Sequence, residues 1–590
     1  MNPSQAALAS LLPLAVAIPI AGAVVSPLAG RLSGRLPLLI SLAATVGTTA
    51  VLALLAPTVF GGTILVHYMG GWRPVAGHAL GIAFAADPFG LVYALTCAVV
   101  GAVLLQYSLS ELGQLGRHEL GYFSCLALLL LASLIGTALT GDLFNLFVWF
   151  EVAALASYAL TAFFLEWPLA LEAAFKTLVL TTVASFAVFI AAALLYADHG
   201  ALNLAQLHLS IQRDGLRTAD VVALGLLLAG FGTKAGLVPF HAWLPDAHTA
   251  APGPVSALFS GLMVNLGIVA VARLAFQVYG PGGGIPVLGL AMAIGLVSAL
   301  GGALLALGQD DLKRLLAYDT VSQMGVMLVG LASGALSGLA GTTYHLVNHA
   351  LFKALLFLCA GAIIHTTGIT NLSEMGGLAR RKPALAGAFV VGVLAIAGVP
   401  PLNGYVSLSL VHEGLLETHQ YGALVVMVAA DVVTFAALSR AAWQAFFRPR
   451  AEPYEHELPL QPGMTAALST LGALCVAFGL LPQLLLRRVM APAAGLLQAE
   501  PYAAALLGPA RKVATAPVHF AYTSADALVS LALTVVLGGA LAWRATTWRE
   551  PAPVRWLRAL HTGSVNDYAA YLVAGIVLVI VVSLLGWSMG

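Results

Sequence analysis

The chain has 590 residues, of which 60% are hydrophobic and only 9% charged, and its formal net charge is +1. A soluble domain carries about a quarter of its residues as charges, so this composition excludes a water-soluble globular protein and predicts a polytopic membrane protein. The near-neutral balance offers no field for nucleic acid. The four cysteines (Cys97, Cys125, Cys359, Cys475) stand singly in apolar runs that match neither a disulfide framework nor cluster-binding spacing, so no cofactor or metal is expected on this chain.

Windows able to cross about 30 Å of hydrocarbon fall near residues ~8–27, 36–57, 87–108, 119–139, 141–164, 170–196, 219–239, 253–279, 285–308, 312–332, 336–366, 384–416, 420–447, 463–486, 527–547 and 567–588, about sixteen helices. The first is read as a span, because no basic residue precedes it and it is too long for a signal h-region. Between the second and third, Thr63–Tyr68 and Leu80–Phe84 alternate polar and apolar residues, which predicts a small extramembrane β-hairpin. The expected organisation is about 1–86 for two helices and the hairpin, 87–450 for a core, and 451–590 for C-terminal helices and interfacial segments.

With the N-terminus outside, the inner loops collect most basic residues, among them Arg31, Arg35, Arg117, Lys313, Arg314, Arg380, Arg381 and Lys382, so the positive-inside rule predicts both termini outside and an even number of spans. Lys176, Lys234, Arg273 and Lys353 are left within spans, where an unpaired charge costs about 3 kcal/mol.

In chain order, the first acidic residue deep in a span is Glu151, nine residues after Asp142. It is the natural partner for Lys234, since each alone is costly. Changing the separation of such a pair moves a proton on or off it; a static ion pair locking two helices is the structural alternative. The seventh span is interrupted around Lys234-Ala-Gly-Leu-Val-Pro239-Phe-His241, and the twelfth around Ala397-Gly-Val-Pro400-Pro401-Leu-Asn403-Gly404. Proline removes a helix donor, so both spans are expected to break. Interrupted spans five helices apart are the mark of an inverted repeat, here about 119–279 against 285–447; simple kinking of packed helices is the alternative. In the eleventh span, His345, His349 and Lys353 recur every four residues on one helical stripe, as a proton relay requires. Core histidines bonded to carbonyls are an alternative, and a metal site is a weaker one because Leu346 stands where a zinc-protease helix carries glutamate.

Three long motifs occur together: Phe231-Gly-Thr-Lys-Ala-Gly-Leu-Val-Pro-Phe-His-Ala-Trp-Leu-Pro-Asp-Ala-His248, Tyr344-His-Leu-Val-Asn-His-Ala-Leu-Phe-Lys-Ala-Leu-Leu-Phe357 and Gly398-Val-Pro-Pro-Leu-Asn-Gly404. With them the chain closely resembles the proton-antiporter-like family over residues 85–450. That family comprises the large subunits of Mrp-type sodium/proton antiporters and the pump subunits of respiratory complex I and membrane-bound hydrogenases. The resemblance implies that Glu151 and Lys234 form the ion pair of a first half-channel, that His248 lies in a connecting loop, and that His345, His349 and Lys353 form a central relay. It also implies that Lys176, one turn from Glu172, couples neighbouring subunits or forms a helix pair. Asp142 lies in a motif that looks closest to the D-type chains of Mrp antiporters or to the hydrogenase subunits. The implied partners are other hydrophobic membrane subunits, protons, sodium or potassium ions and the lipid bilayer.

Two positions depart from the family. Asn265 replaces a lysine of the eighth span, and Leu408 replaces the terminal lysine or glutamate of the twelfth. His412, Glu413 and Asp431 are the candidate substitutes for that exit. Past Phe447 the resemblance thins. The outer segment Leu485–Ser524 is expected at the interface or over a partner, and Arg544–Asp567, with Trp548 and Trp556, is expected to lie at the inner headgroups. Three functions stay open: a cation/proton antiporter subunit, the proton-pumping arm of a redox complex, and a scaffold that no longer translocates.

Overall fold

In hydrocarbon every backbone N–H and C=O must be satisfied within the chain, so long apolar windows become helices. The computed structural model of the protein describes residues 3–280, 287–450, 454, 457–497, 499–508, 518, 520–545 and 552–589. Among these, fifteen helices are long and apolar enough to cross a membrane. The remaining expected span, the twelfth, is divided into Pro383–Ile396 and Asn403–Glu417. The seventh is divided as well, into Thr218–Ala235 and Trp243–Ala250. The alternating stretch after the second helix forms an antiparallel strand pair, Leu65–Tyr68 with Ala83–Ala86. Among the described residues the chain is a mostly helical polytopic membrane protein that carries this strand pair.

The helices are arranged by how much polar chemistry they carry. Gly253–Tyr279 and Leu312–Ala332 are 100% buried over their most apolar window, whereas Ala525–Ala545 and Val565–Ser588 are only 22% buried and present apolar sides outward. Buried central helices can hold histidines and lysines because protein groups, not lipid, surround them.

The same backbone devices occur twice. Asp142 caps the Leu143–Thr161 helix by accepting from the Asn145 amide and bridges to Asn203; Asp311 caps Leu312–Ala332 by accepting from the Arg314 amide and bridges to Asn371. Each bridge is closed by two amide bonds, Leu143 to the Leu202 carbonyl and Leu204 to that of Gly141, then Leu312 to Thr370 and Leu372 to Asp310. Before each bridge runs a 32-residue helix, Pro168–His199 or Leu336–Thr367, that stops at a left-handed glycine, Gly200 or Gly368. The breaks correspond too, with Gly236 and Gly398 at φ +71° and +67° and cis peptides before Pro239 and Pro401. The two stretches thus carry the same cap, bridge, long helix and broken span in the same order.

The C-terminal helices pack back on this core: Ala525–Ala545 lies against Tyr421–Ala442, and Val565–Met589 against Thr218–Ala235 and Pro168–His199. The short helix Ala552–Ala559 lies between them in sequence. Trp548 and Arg549 of the expected headgroup stretch, and Arg511 and Lys512 of the outer segment, lie outside the described residues.

Candidate functional site

Lys234 ends a helix. It lies in the last turn of Thr218–Ala235, where the free carbonyls and the negative end of the helix dipole favour a cation. Gly236 closes that end with its amide on the Thr233 carbonyl, Leu237 reaches back to Gly232, and the Trp243 indole donates to Thr233 at 2.7 Å. Only glycine takes the left-handed turn there without strain. The Lys234 side chain is fully buried, and its Nζ has no hydrogen-bond partner among the described residues. It sits 5.5 Å from the centroid of the Phe150 ring, within cation–π range.

Glu151, the next residue, is within Coulombic reach of Lys234 but not in direct contact: the chain has no ion pair between them within 4.0 Å among its described residues. The direct pair expected from the sequence is therefore open in this structure. The Phe150 ring and the C-terminal end of the helix lie beside the ammonium, and Glu151 acts on it through space. One oxygen of Glu151, Oε1, is buried and unpartnered as well.

His248, in the Trp243–Ala250 helix, stacks on Phe357 with ring centroids 4.7 Å apart, and both its ring nitrogens are buried without partners among the described residues. Phe357 belongs to Leu336–Thr367, which also carries the histidine stripe. There the rings of His345 and His349 lie 6.4 Å apart. His349 has no partner for either nitrogen among the described residues, while His345 binds Ser407 Oγ through Nδ1 and Gln323 Oε1 through Nε2, both at 3.0 Å. Ser407 stands on the second half of the twelfth span, so this bond joins the stripe to the second break. Lys353 is paired with Asp319 at 2.5 Å and donates to the Leu316 carbonyl. Asp319 is a partner that no motif identified, because a carboxylate among apolar residues announces a charge but not its mate.

The two breaks are alike in backbone and unlike in charge. Ile396, two residues before Gly398, stands where Lys234 precedes Gly236. Asn265 is fully buried and bridges helices, donating to the Gly261 and Leu346 carbonyls at 3.0 and 3.3 Å. Leu408 packs among Val411, Leu415, Met427 and Ala430 and carries no polar function. One turn further on, His412 Nε2 is 3.2 Å from Asp431 Oδ2, though not aligned as a hydrogen bond. His412 and Glu413 line a cavity of about 340 Å³, with Arg487 and Asp526 also in its wall.

The other basic residues within spans are firmly paired. Arg273 grips Asp87 with both guanidinium arms at 3.0 and 3.2 Å, and Gln277 donates to the same carboxylate. Lys176 contacts Glu172 at 2.7 Å, as the spacing predicted, and also Asp246 at 3.0 Å, which Arg314 holds from the other side at 2.7 Å. Lys234 is thus the one of the four that is buried without a direct polar partner.

Comparison with known proteins agrees with this architecture. The model for "NADH:quinone oxidoreductase/Mrp antiporter, TM" matches residues 140–434. The chain is 30% identical over 455 residues to the D-type chain of the Na(+)/H(+) antiporter of Bacillus subtilis, covering 77% of this chain and 90% of that protein. It is 34% identical over 415 residues to the N-type chain of the NADH-quinone oxidoreductase of Desulforudis audaxviator, covering 69% and 81%. A chain of the Mrp complex from Dietzia superposes with a TM-score of 0.76 at 27% identity, covering 86% of this chain and all of that one. A chain of the archaeal membrane-bound sulfane sulfur reductase gives the same score and identity over 84% and 99%. With one break at a buried lysine, a second joined to a histidine stripe, and matches of this extent, the chain belongs to the NADH:quinone oxidoreductase/Mrp antiporter transmembrane family.

Proposed function

We propose that the chain translocates protons as a membrane subunit of a multi-subunit monovalent cation/proton antiporter of Mrp type. The observation that carries this reading is Lys234: a fully buried ammonium with no direct partner, at a helix break, with Glu151 near enough to attract it. An ammonium with no directly bonded counter-ion can gain or lose its proton when the carboxylate approaches or withdraws. From there His248, His349 and His345 supply buried imidazoles towards Ser407, with Lys353 and Asp319 as a second charge pair beside them. His412 and Asp431, next to a cavity that also holds Glu413, serve as the exit in place of Leu408. The cluster of Glu172, Lys176, Asp246 and Arg314 is the candidate coupling element, and Asp142 is a helix cap. The fitting partners are other membrane subunits.

The test is cation/proton exchange in everted membrane vesicles carrying the whole complex. Lys234→Ala or Glu151→Ala is expected to abolish exchange, and wild-type rates in both would leave only a scaffold. A redox-driven pump is the second reading, favoured by the similarity to a chain of an NADH-quinone oxidoreductase. Iron-bearing chains in the purified complex would select it.

A further inference from the structure

The family match ends at residue 434, yet a residue far beyond it touches the first break. The final helix, Val565–Met589, closes on that break so tightly that a Cβ on Gly575 would stand 2.6 Å from the Pro239 side chain and 2.7 Å from that of Phe240. Just before this helix the chain turns His561 onto His241, with their Nε2 atoms 3.0 Å apart and the rings edge to face. His241 is buried within the break, seven residues after Lys234, and His561 is half-buried on the side that carries Arg314. The two imidazoles therefore run from the interior of the break towards the inner surface.

Their partners fix the tautomers. His561 Nδ1 lies 3.2 Å from the Leu557 carbonyl, which can only accept, so Nδ1 bears hydrogen and Nε2 of the neutral ring offers a lone pair. Burial, with a smaller contribution from Arg314, holds the His561 imidazole below its ordinary value, so the neutral ring prevails at pH 7. His241 must then donate its Nε2–H, and its Nδ1, buried with no partner among the described residues, keeps a lone pair. The groups facing the pair are Arg314 and Tyr318 from Leu312–Ala332, Asp246 from Trp243–Ala250, and Tyr568 from the final helix, with Lys176 near Gly563. Asp246 is already bound by Lys176 and Arg314 and does not compete as an acceptor.

We propose that His241 and His561 form a two-imidazole relay that joins the inner aqueous face to the break at Lys234, which makes the C-terminal extension part of the transport path. This rests on the proton-translocating reading above. A proton arriving from the interior forms a bond to His241 Nδ1. The His241 Nε2–H bond breaks as the His561 Nε2–H bond forms; the His561 ring, now an imidazolium with an N–H on each nitrogen, turns away from His241, its Nε2–H bond breaks to inner water, and the neutral ring turns back onto the Leu557 carbonyl. No electron changes hands. The hop leaves His241 in the opposite tautomer, and rotation of its ring, or a hop in the reverse direction, restores the starting state.

The experiment uses the whole complex in everted vesicles, with assembly checked by size-exclusion chromatography. His561→Ala is expected to slow exchange by about tenfold or more. Free imidazole added to the medium should restore most of the rate, because the vacated site reaches the surface. His561→Gln, which can hydrogen-bond but not titrate, should be slow as well. Wild-type exchange in His561→Ala would overturn the relay, as would a slow His561→Ala that imidazole leaves slow while His561→Gln runs at the wild-type rate. Lys234→Ala separates the two proposals: if it is inactive while His561→Ala is normal, only the relay falls, and if it is normal the transport reading itself fails.

Discussion

Lys353 Nζ lies 2.5 Å from Asp319 Oδ2, and neither side chain reaches the surface. Two charges in such a place are stable only together. Removing one partner of a buried pair costs about 3–5 kcal/mol, because the other charge stays behind unpaired. Lys353→Ala and Asp319→Ala alone should each lower the melting temperature of the complex sharply. The double variant Lys353→Met with Asp319→Leu should recover most of the melting temperature while exchange stays lost. Recovery of exchange would show the pair to be purely structural.

Arg273 and Asp87 make the opposite case. The contacts of this pair are a two-armed guanidinium grip, the Gln277 amide, the Ala138 carbonyl, the Gly90 amide and the Tyr502 ring, and among the described residues no histidine is in this set. Arg273→Met should cost roughly 3–5 kcal/mol and reduce the amount of assembled complex. Exchange per assembled complex should stay within about twofold of wild type. A loss of specific activity at normal assembly would give Arg273 a part in transport.

The exit is tested at His412. His412→Ala removes the imidazole beside Asp431 and is expected to cut exchange by about tenfold or more, since leucine at 408 cannot take over a proton. Unchanged exchange would mean that protons leave by another way. Adding Leu408→Lys to the slowed His412→Ala variant should restore exchange, because it returns a titratable group one turn from the lost imidazole; a double variant as slow as His412→Ala would show that position 408 is only packing.

The room left for a Cβ distinguishes the two breaks. At Gly236 and Gly398 an alanine must adopt a positive φ, at a cost of about 1–2 kcal/mol each. At Gly236 the new Cβ also meets Leu244 at 2.5 Å, whereas at Gly398 it meets Leu408 at 3.0 Å. Gly236→Ala should therefore destabilise more than Gly398→Ala in thermal unfolding, and it should also slow exchange because it displaces the helix end that holds Lys234.

The spans, both breaks and the histidine stripe were legible because each rests on local rules: apolar length, proline without a donor, and a four-residue recurrence. The partners of the buried charges were less so. Lys176 with Glu172 could be read from spacing on one helix, but Asp246, Asp319 and Asp87 come from elsewhere in the chain and only packing brings them to Lys176, Lys353 and Arg273. The direct contact expected for Glu151 and Lys234 failed for a related reason. Charge complementarity alone ignores the Phe150 ring and the helix end that lie beside the ammonium. His561 gave no signal at all, since a lone histidine in an arginine-bearing loop reads as surface until the last helix is docked.

The burial of the central helices sets what the surrounding lipid can influence. Gly253–Tyr279 and Leu312–Ala332 meet protein along their whole most apolar window, while Ala525–Ala545 and Val565–Ser588 present apolar sides outward. The imidazoles and ammonium groups thus sit inside an insulating sleeve of this chain's own making. A change of bilayer thickness or headgroup reaches that sleeve and its neighbours in the complex first, so lipid composition should govern how firmly the subunit is held far more than how readily a proton passes along its axis.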